Sequence, residues 1–244
     1  MLTVDFPELG LQPGNAVLDA GCGTGRHLRG LAGIPGVRYF GIDTKKEDLD
    51  KACASLAEIP GSSADNCHIA RADIRNLPFS DGFFDCVICS EVLEHIWEHE
   101  QALEELIRVL KPKGSLVISV PRYFPEKICW LLSRAYRNEE GGHVRIYKKD
   151  KVLNMLKKYG FKCWKINYKH ALHVPYWWIK CLVGHKNESN LLVKYYKKFL
   201  EWDIMHKPFW VRFLEEFLNP FMGKSIVSIL KRTKINENQF APAV

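Results

Sequence analysis

The sequence predicts a doubly wound α/β fold: a mostly parallel, seven-stranded sheet with a helical, aromatic-rich insertion before the last strand. Three observations predict it. Strand and helix signals alternate over the first 120 residues, the strands are near-continuous apolar runs, and a glycine-rich turn directly follows the first strand. The chain has 244 residues, 47% hydrophobic and 26% charged, which excludes wholesale disorder. No run approaches the roughly 18 apolar residues of a membrane span. The start MLTVDFPELG lacks the basic and apolar regions of a signal peptide, and the eight cysteines form no regular framework. Reduced thiols in a cytoplasmic setting are therefore expected.

The elements follow in order. Residues 15–19 are a short apolar strand ending in Asp19, and 26–32 read as a helix. A second strand over 37–43 ends in Asp43, with a helix over 46–57. The third strand, 68–72, ends at Asp73; the fourth, 84–90, precedes a helix over 98–110. Pro112 and Gly114 punctuate before a fifth strand over 115–120. Beyond Pro121 a helix is expected over 129–137, another over 149–159, a sixth strand over 161–168 and a last one over 224–231. Residues 172–222 hold amphipathic helical patterns interrupted by Pro175, Pro208 and Pro220. Phe209, Trp210, Phe213, Leu214, Phe217 and Leu218 mark one helical face, read as packing on the sheet with the lysines in water.

Charge divides the chain. Residues 1–120 hold 11 Lys and Arg against 18 Asp and Glu; residues 121–244 hold 24 against 10. The later half also holds 22 of the 29 aromatic residues. The two halves are expected to meet different ligands.

Glycines 21, 23 and 25 let the backbone turn tightly and lie against a ligand. The dinucleotide fingerprint is G-x-G-x-x-G, but here Arg26 follows Gly25, so the third glycine is one place early. That spacing suits a cofactor without a pyrophosphate, and no G-x-x-x-x-G-K-[ST] run is present. Asp43, about twenty residues on, stands where a carboxylate accepts ribose hydroxyls; Asp73 can take an adenine amino proton, with Ile74 beside the ring. Three acids at successive strand ends mark the edge where ligands bind in such sheets.

The segments 17–25 (VLDAGCGTG), 41–43 (GID), 72–74 (ADI) and 77–85 (LPFSDGFFD) resemble the successive motifs of class I S-adenosylmethionine-dependent methyltransferases. Residues 89–96 (CSEVLEHI) and 108–114 (RVLKPKG) continue the series, in the subgroup that includes the ubiquinone-biosynthesis methyltransferases. Residues 142–147 (GHVRIY) followed by 153–161 are similar to a later segment of that subgroup. The resemblance implies a Rossmann-like methyltransferase fold with S-adenosylmethionine as cofactor and S-adenosylhomocysteine as product. It implies that Asp19, Gly21, Gly23 and Gly25 line the methionine end and ribose, that Asp43 holds the ribose hydroxyls, that Asp73 and Ile74 hold the adenine, and that Ser90 edges the pocket near the sulfonium. A single domain over 1–234 is expected: a cofactor half 1–120, an acceptor side 121–171, a cap 172–222 and a last strand 223–234, with a tail at 235–244.

Methyl transfer to a hydroxyl or acidic carbon calls for a general base, and Glu94 and His95 stand directly after the fourth strand. Capping and packing are the competing reading of both. Glu91, Glu94 and His95, with His99 one turn on, also resemble the metal-binding element of ubiquinone O-methyltransferases and small-RNA 2′-O-methyltransferases. Cys86 and Cys89 fall on opposite faces of a strand, which argues against a zinc or redox pair. His143, Arg145 and Tyr147 stand either at the acceptor pocket or in packing roles.

The acceptor expected is a small, apolar or lipid-like metabolite, methylated on oxygen or carbon, its anionic head meeting the basic cap. Peripheral contact with an anionic membrane is a further expectation, nucleic acid ranks last, and a non-catalytic cofactor-binding protein or an RNA methyltransferase are the alternatives.

Overall fold

The computed structural model describes residues 2–59 and 66–232. The expected tail at 235–244 lies outside the described residues. The seven expected strands are present: β1 (Ala16–Ala20), β2 (Arg38–Asp43), β3 (Cys67–Arg71), β4 (Phe84–Ser90), β5 (Leu110–Pro121), β6 (Phe161–Lys169) and β7 (Ser225–Arg232). They form one sheet in the order β3-β2-β1-β4-β5-β7-β6, parallel except for β7, which is antiparallel to both neighbours. The order reverses beside β1, so the carboxyl ends of β1 and β4 flank the crevice where such sheets bind ligands.

Apolar side chains alternate to both faces of these strands and build two cores. One holds Leu18, Val87 and Cys89 with Leu103 and Leu106; the other holds Val17, Cys86 and Ile88 with Leu28 and Leu31. Cys86 and Cys89 thus lie on opposite sheet faces, as their spacing requires. The helices covering the sheet are α1 (Arg26–Ala32), α2 (Lys46–Ala57) and α3 (His99–Arg108) in the first half.

The second half contributes α4 (Tyr123–Leu132), α5 (Arg134–Arg137) and α6 (Lys149–Lys158), then α7 (His173–Val183), α8 (Leu191–His206) and α9 (Phe209–Met222). The single helix expected over 129–137 is therefore two. Pro125 sits in the first turn of α4, where its missing N–H costs nothing, and Ser133 breaks the run and caps α5 by accepting from the Tyr136 N–H at 3.1 Å. Helices α7 to α9 connect the end of β6 to the start of β7. Lys169 pairs with Ser225, and Ser225 with Pro121, so this insertion leaves and rejoins the sheet at its carboxyl edge.

The outer face of α9 corrects the sequence reading. Phe209, Trp210, Phe213, Leu214 and Phe217 do not pack on the sheet; all are exposed, and only Leu218 of that set is half-buried. The buried residues of α9 are Glu215 and Asn219. Polar partners explain the inversion: Arg212 pairs with Glu215 at 3.1 Å and Asn219 accepts from the Ala171 N–H at 3.0 Å.

Candidate functional site

A cavity of about 640 Å³ opens at the carboxyl ends of β1, β2 and β4. Its walls come from the turn after β1 (Gly21, Gly23, Arg26), the end of β2 (Asp43), the residues after β3 (Asp73, Ile74) and the residues after β4 (Ser90, Glu91, His95, Trp97).

The glycine turn is held in conformations that side chains resist. Gly21, Gly23 and Gly25 have φ of +79°, +52° and +81°. A Cβ on Gly21 would meet Val92 Cγ2 at 2.4 Å, whereas one on Gly23 would meet nothing within 4 Å. The Gly23 backbone therefore borders open space in the cavity wall, which suits close approach by a ligand. Gly25 is not in the wall; it lets α1 pack on α2, where a Cβ would lie 2.9 Å from that of Ala52.

Asp43 is fixed by two backbone donors, Gly23 N–H to Oδ2 at 2.9 Å and Lys45 N–H to Oδ1 at 3.0 Å. Each oxygen keeps acceptor capacity for a hydroxyl. Asp73 lines the cavity beside Ile74, but the Arg75 guanidinium grips it, with Nη2 to Oδ2 at 2.7 Å, and holds its carboxyl below the usual carboxylate range. An adenine amino group would have to share Asp73 with Arg75.

Asp19 departs from the sequence expectation. It does not line the cavity but lies buried beneath it, 3.5 Å from His27 Nδ1, with both oxygens lacking a hydrogen-bond partner.

Ser90 edges the cavity as expected, and the structure adds a chain that the sequence did not disclose. Arg26 Nη2 donates to Ser90 Oγ at 3.1 Å, Ser90 and Ser119 hydroxyls are 3.0 Å apart, and Ser119 donates to Glu91 Oε1 at 2.7 Å. A cation and a carboxylate thus end a directional series of hydrogen bonds across the carboxyl ends of β4 and β5. Glu91 adopts φ of +59°, a left-handed conformation costly for a glutamate, and so is held at the rim by its surroundings. Only the position of Arg26 just inside the glycine turn hinted at its role.

His95 and Glu94 part company. His95 lies in the cavity wall, its Nδ1 3.0 Å from the Gly141 carbonyl and 3.1 Å from that of Gly142. Carbonyls only accept, so Nδ1 holds the proton and Nε2 keeps the lone pair. Desolvation by the surrounding loop, and secondly the nearby His143, lower the pKa of His95 below the ordinary histidine value. Glu94 is 0% exposed, lies outside the cavity wall and has no hydrogen-bond partner on either oxygen. Burial, reinforced by Glu91, pushes its carboxyl well above the ordinary range. Glu94 is therefore not placed to take a proton from a ligand in this cavity.

Ligand-type atoms of Glu94, His95 and His143 come within 4.8 Å of one another, a set that could hold one divalent cation. The set holds His143 in place of the expected Glu91, whose Oε1 accepts from Ser119. His143 Nδ1 also lies 2.7 Å from Glu126 Oε1. His99 stands apart, its ring edge-on to Tyr147 at 5.9 Å. Arg145 braces the loop bearing His95, donating to the carbonyls of Leu93, Ile96 and Trp97, while Tyr147 is core.

No residue of 172–222 lines the cavity. Helix α7 instead packs on α4, with Trp178 Nε1 donating to the Pro125 carbonyl at 3.1 Å. Near this junction Arg122 lies 4.5 Å over the Tyr168 ring, with its Nη1 buried and without a hydrogen-bond partner.

Comparison with known proteins agrees with the geometry. Residues 18–118 match the family described as a methyltransferase domain. The chain is 36% identical to the O-methyltransferase cnsE of Penicillium expansum over 107 residues, 43% of this chain and 38% of that one. It is 30% identical to cycloartenol-C-24-methyltransferase 1 of Oryza sativa subsp. japonica over 145 residues, 59% of this chain and 38% of that one. The chain thus spans well under half the length of these curated relatives. The structure of a SAM-dependent methyltransferase from Methanosarcina mazei superposes with a TM-score of 0.63 at 15% identity, covering 96% of this chain and 100% of that one, a likeness of fold.

Proposed function

We propose that this chain, whose residues 18–118 are a class I S-adenosylmethionine-dependent methyltransferase domain, transfers a methyl group to oxygen or carbon of a small acceptor with an apolar, lipid-like body and an anionic head. The observation that supports transfer is one cavity bounded by the glycine turn and Asp43 on one side and the free Nε2-bearing residue His95 on the other.

S-adenosylmethionine supplies an electrophilic methyl on a sulfonium, and the protein's share is positioning, water exclusion and proton removal. Gly21 and Gly23 let the backbone approach the cofactor, Asp43 accepts the ribose hydroxyls, and Ile74 offers an apolar wall to the adenine. His95 takes the acceptor proton at Nε2 while the Gly141 and Gly142 carbonyls hold its tautomer. The Arg26–Ser90–Ser119–Glu91 series fixes the polar rim. An anionic head is suggested by the excess of Lys and Arg over Asp and Glu in residues 121–244, 24 against 10. The apolar body is supported by likeness to a cycloartenol methyltransferase.

Calorimetry with S-adenosylhomocysteine is expected to show binding, and Asp43→Ala to weaken it by about 1–3 kcal/mol by leaving ribose hydroxyls unpaired. No affinity for either form of the cofactor would sink the proposal. Binding without turnover on any lipid-like or small acceptor would leave a cofactor-binding protein instead.

A second reading has its own observation, the buried and unpartnered Glu94 carboxylate beside His95 and His143. There a divalent cation held by these three would grip acceptor oxygens. Turnover abolished by chelation and restored by added magnesium or manganese would select it; turnover indifferent to chelation would leave His95 as the base.

A further inference from the structure

Helix α9 presents its apolar residues to solvent. Phe209, Trp210, Phe213, Leu214, Phe217 and Phe221 are between 47% and 78% exposed, while Glu215 and Asn219 are 6% and 9% exposed. At about 100° per residue these six fall within an arc of about 140°, with no charged side chain among them. An outward apolar stripe of this length exceeds the scattered exposure of an ordinary soluble surface. The stripe does not belong to the cavity described above, whose walls include no residue of α9.

Charge indicates what covers it. The outer face of α8 interleaves Lys194 and Lys198 with Tyr195, Trp202 and Met205, all exposed. At the corner between the helices, exposed Lys207 stands between Met205 and Phe209. Residues 121–244 hold 24 Lys and Arg against 10 Asp and Glu. Tryptophan and phenylalanine on one face with lysines beside them suit the headgroup boundary of a bilayer. There aromatic rings sit at the interface and lysines extend toward anionic phosphates.

We propose that α9, with the outer face of α8, docks this protein on the surface of an anionic membrane, the helix lying in the interface plane. No described helix is long and apolar enough to cross a membrane. The docking goes beyond methyl transfer and does not depend on it, since it is read without cofactor or acceptor.

The test is flotation of the full chain with vesicles of phosphatidylcholine alone and of phosphatidylcholine with about 30% phosphatidylserine, at low and high salt. At least about tenfold more protein should float with the anionic vesicles at low salt, and the excess should fall as salt rises. The double variant Trp210→Ser/Phe213→Ser replaces exposed side chains and should reduce flotation about tenfold or more with an unchanged circular dichroism spectrum. Trp164→Ser, exposed on β6 and outside the stripe, should float like the parent. Equal flotation with neutral vesicles would overturn the proposal, as would a double variant that floats as well as the parent. A parent that fails to float but sediments as a dimer, made monomeric by the double variant, would assign the stripe to a second copy and also overturn it. Cofactor binding is measured separately, so failure here leaves the methyl-transfer reading standing.

Discussion

His95 holds its proton on Nδ1 because two carbonyls accept there, and desolvation lowers its pKa below the usual 6.5. It is thus neutral and able to act as a base at physiological pH. His95→Ala should lower kcat by about 10²- to 10⁴-fold while changing S-adenosylhomocysteine affinity little. The acid limb of the parent's kcat profile should fall below pH 6.5; a profile flat to pH 4 would remove His95 from the reaction. Glu94 behaves oppositely. Its folded pKa is raised well above 4.5, so the native state holds a proton that the unfolded chain has lost. Its contribution to stability is full below pH 4.5 and is lost as pH rises toward the folded value. In the presence of a chelator, Glu94→Gln should therefore raise the Tm at pH 8 and leave it nearly unchanged at pH 4, as read by thermal unfolding. A lower Tm at pH 8 would mean that the buried carboxylate has a partner.

At the scale of elements, the central strands were legible because each is a nearly continuous apolar run, buried on both faces, and each ends at the ligand edge. The glycine turn was legible for the same reason it works: all three glycines have positive φ, and at Gly21 and Gly25 a Cβ would also strike a neighbour. Gly25→Ala would force both a left-handed alanine and a Cβ 2.9 Å from Ala52, and should destabilise the fold by about 2–4 kcal/mol in denaturant unfolding. Adding Ala52→Gly should recover part of that loss, because the steric and backbone costs are separable; no recovery would show that the φ alone decides. The helices of the insertion were legible only as periodicity. Period marks a stripe but not the side on which it lies, and α9 turned Glu215 and Asn219 inward, where Arg212 pairs with one oxygen of Glu215 and the Ala171 N–H donates to Asn219. Nor did the motif after β4 separate Glu94 from His95, since adjacent residues can face the core and the cavity. The Arg26 to Glu91 series was illegible because it joins three segments far apart in the chain.

At the scale of the whole molecule, cations from both halves gather around two half-buried histidines where the insertion meets the sheet. His170, at φ of +67°, and His173 stack edge-on at 5.5 Å, facing Glu215 from α9. Burial first, then His173, Arg26 and Lys224, hold His170 well below the usual value. Burial first, then Lys224 and Arg212 among its neighbours, lower His173 to about 4. A histidine whose folded pKa is depressed stabilises the native state fully above pH 6.5, and that contribution is lost as pH falls toward the folded value. Glu215, raised by burial, and Glu94 act the other way, favouring the native state as pH falls toward 4.5. A tenfold difference in proton affinity between folded and unfolded chain is worth about 1.4 kcal/mol. Both His170 and His173 bind protons more weakly when folded, and for His173 the window lies between 6.5 and about 4. The parent's stability should therefore fall between pH 6.5 and 4.5. His173→Phe, which keeps a ring in the site but cannot titrate, should flatten that limb without moving stability at pH 8 by as much. Denaturant midpoints across this range read the effect directly. An acid limb as steep in His173→Phe as in the parent would show that the insertion's histidines do not set it.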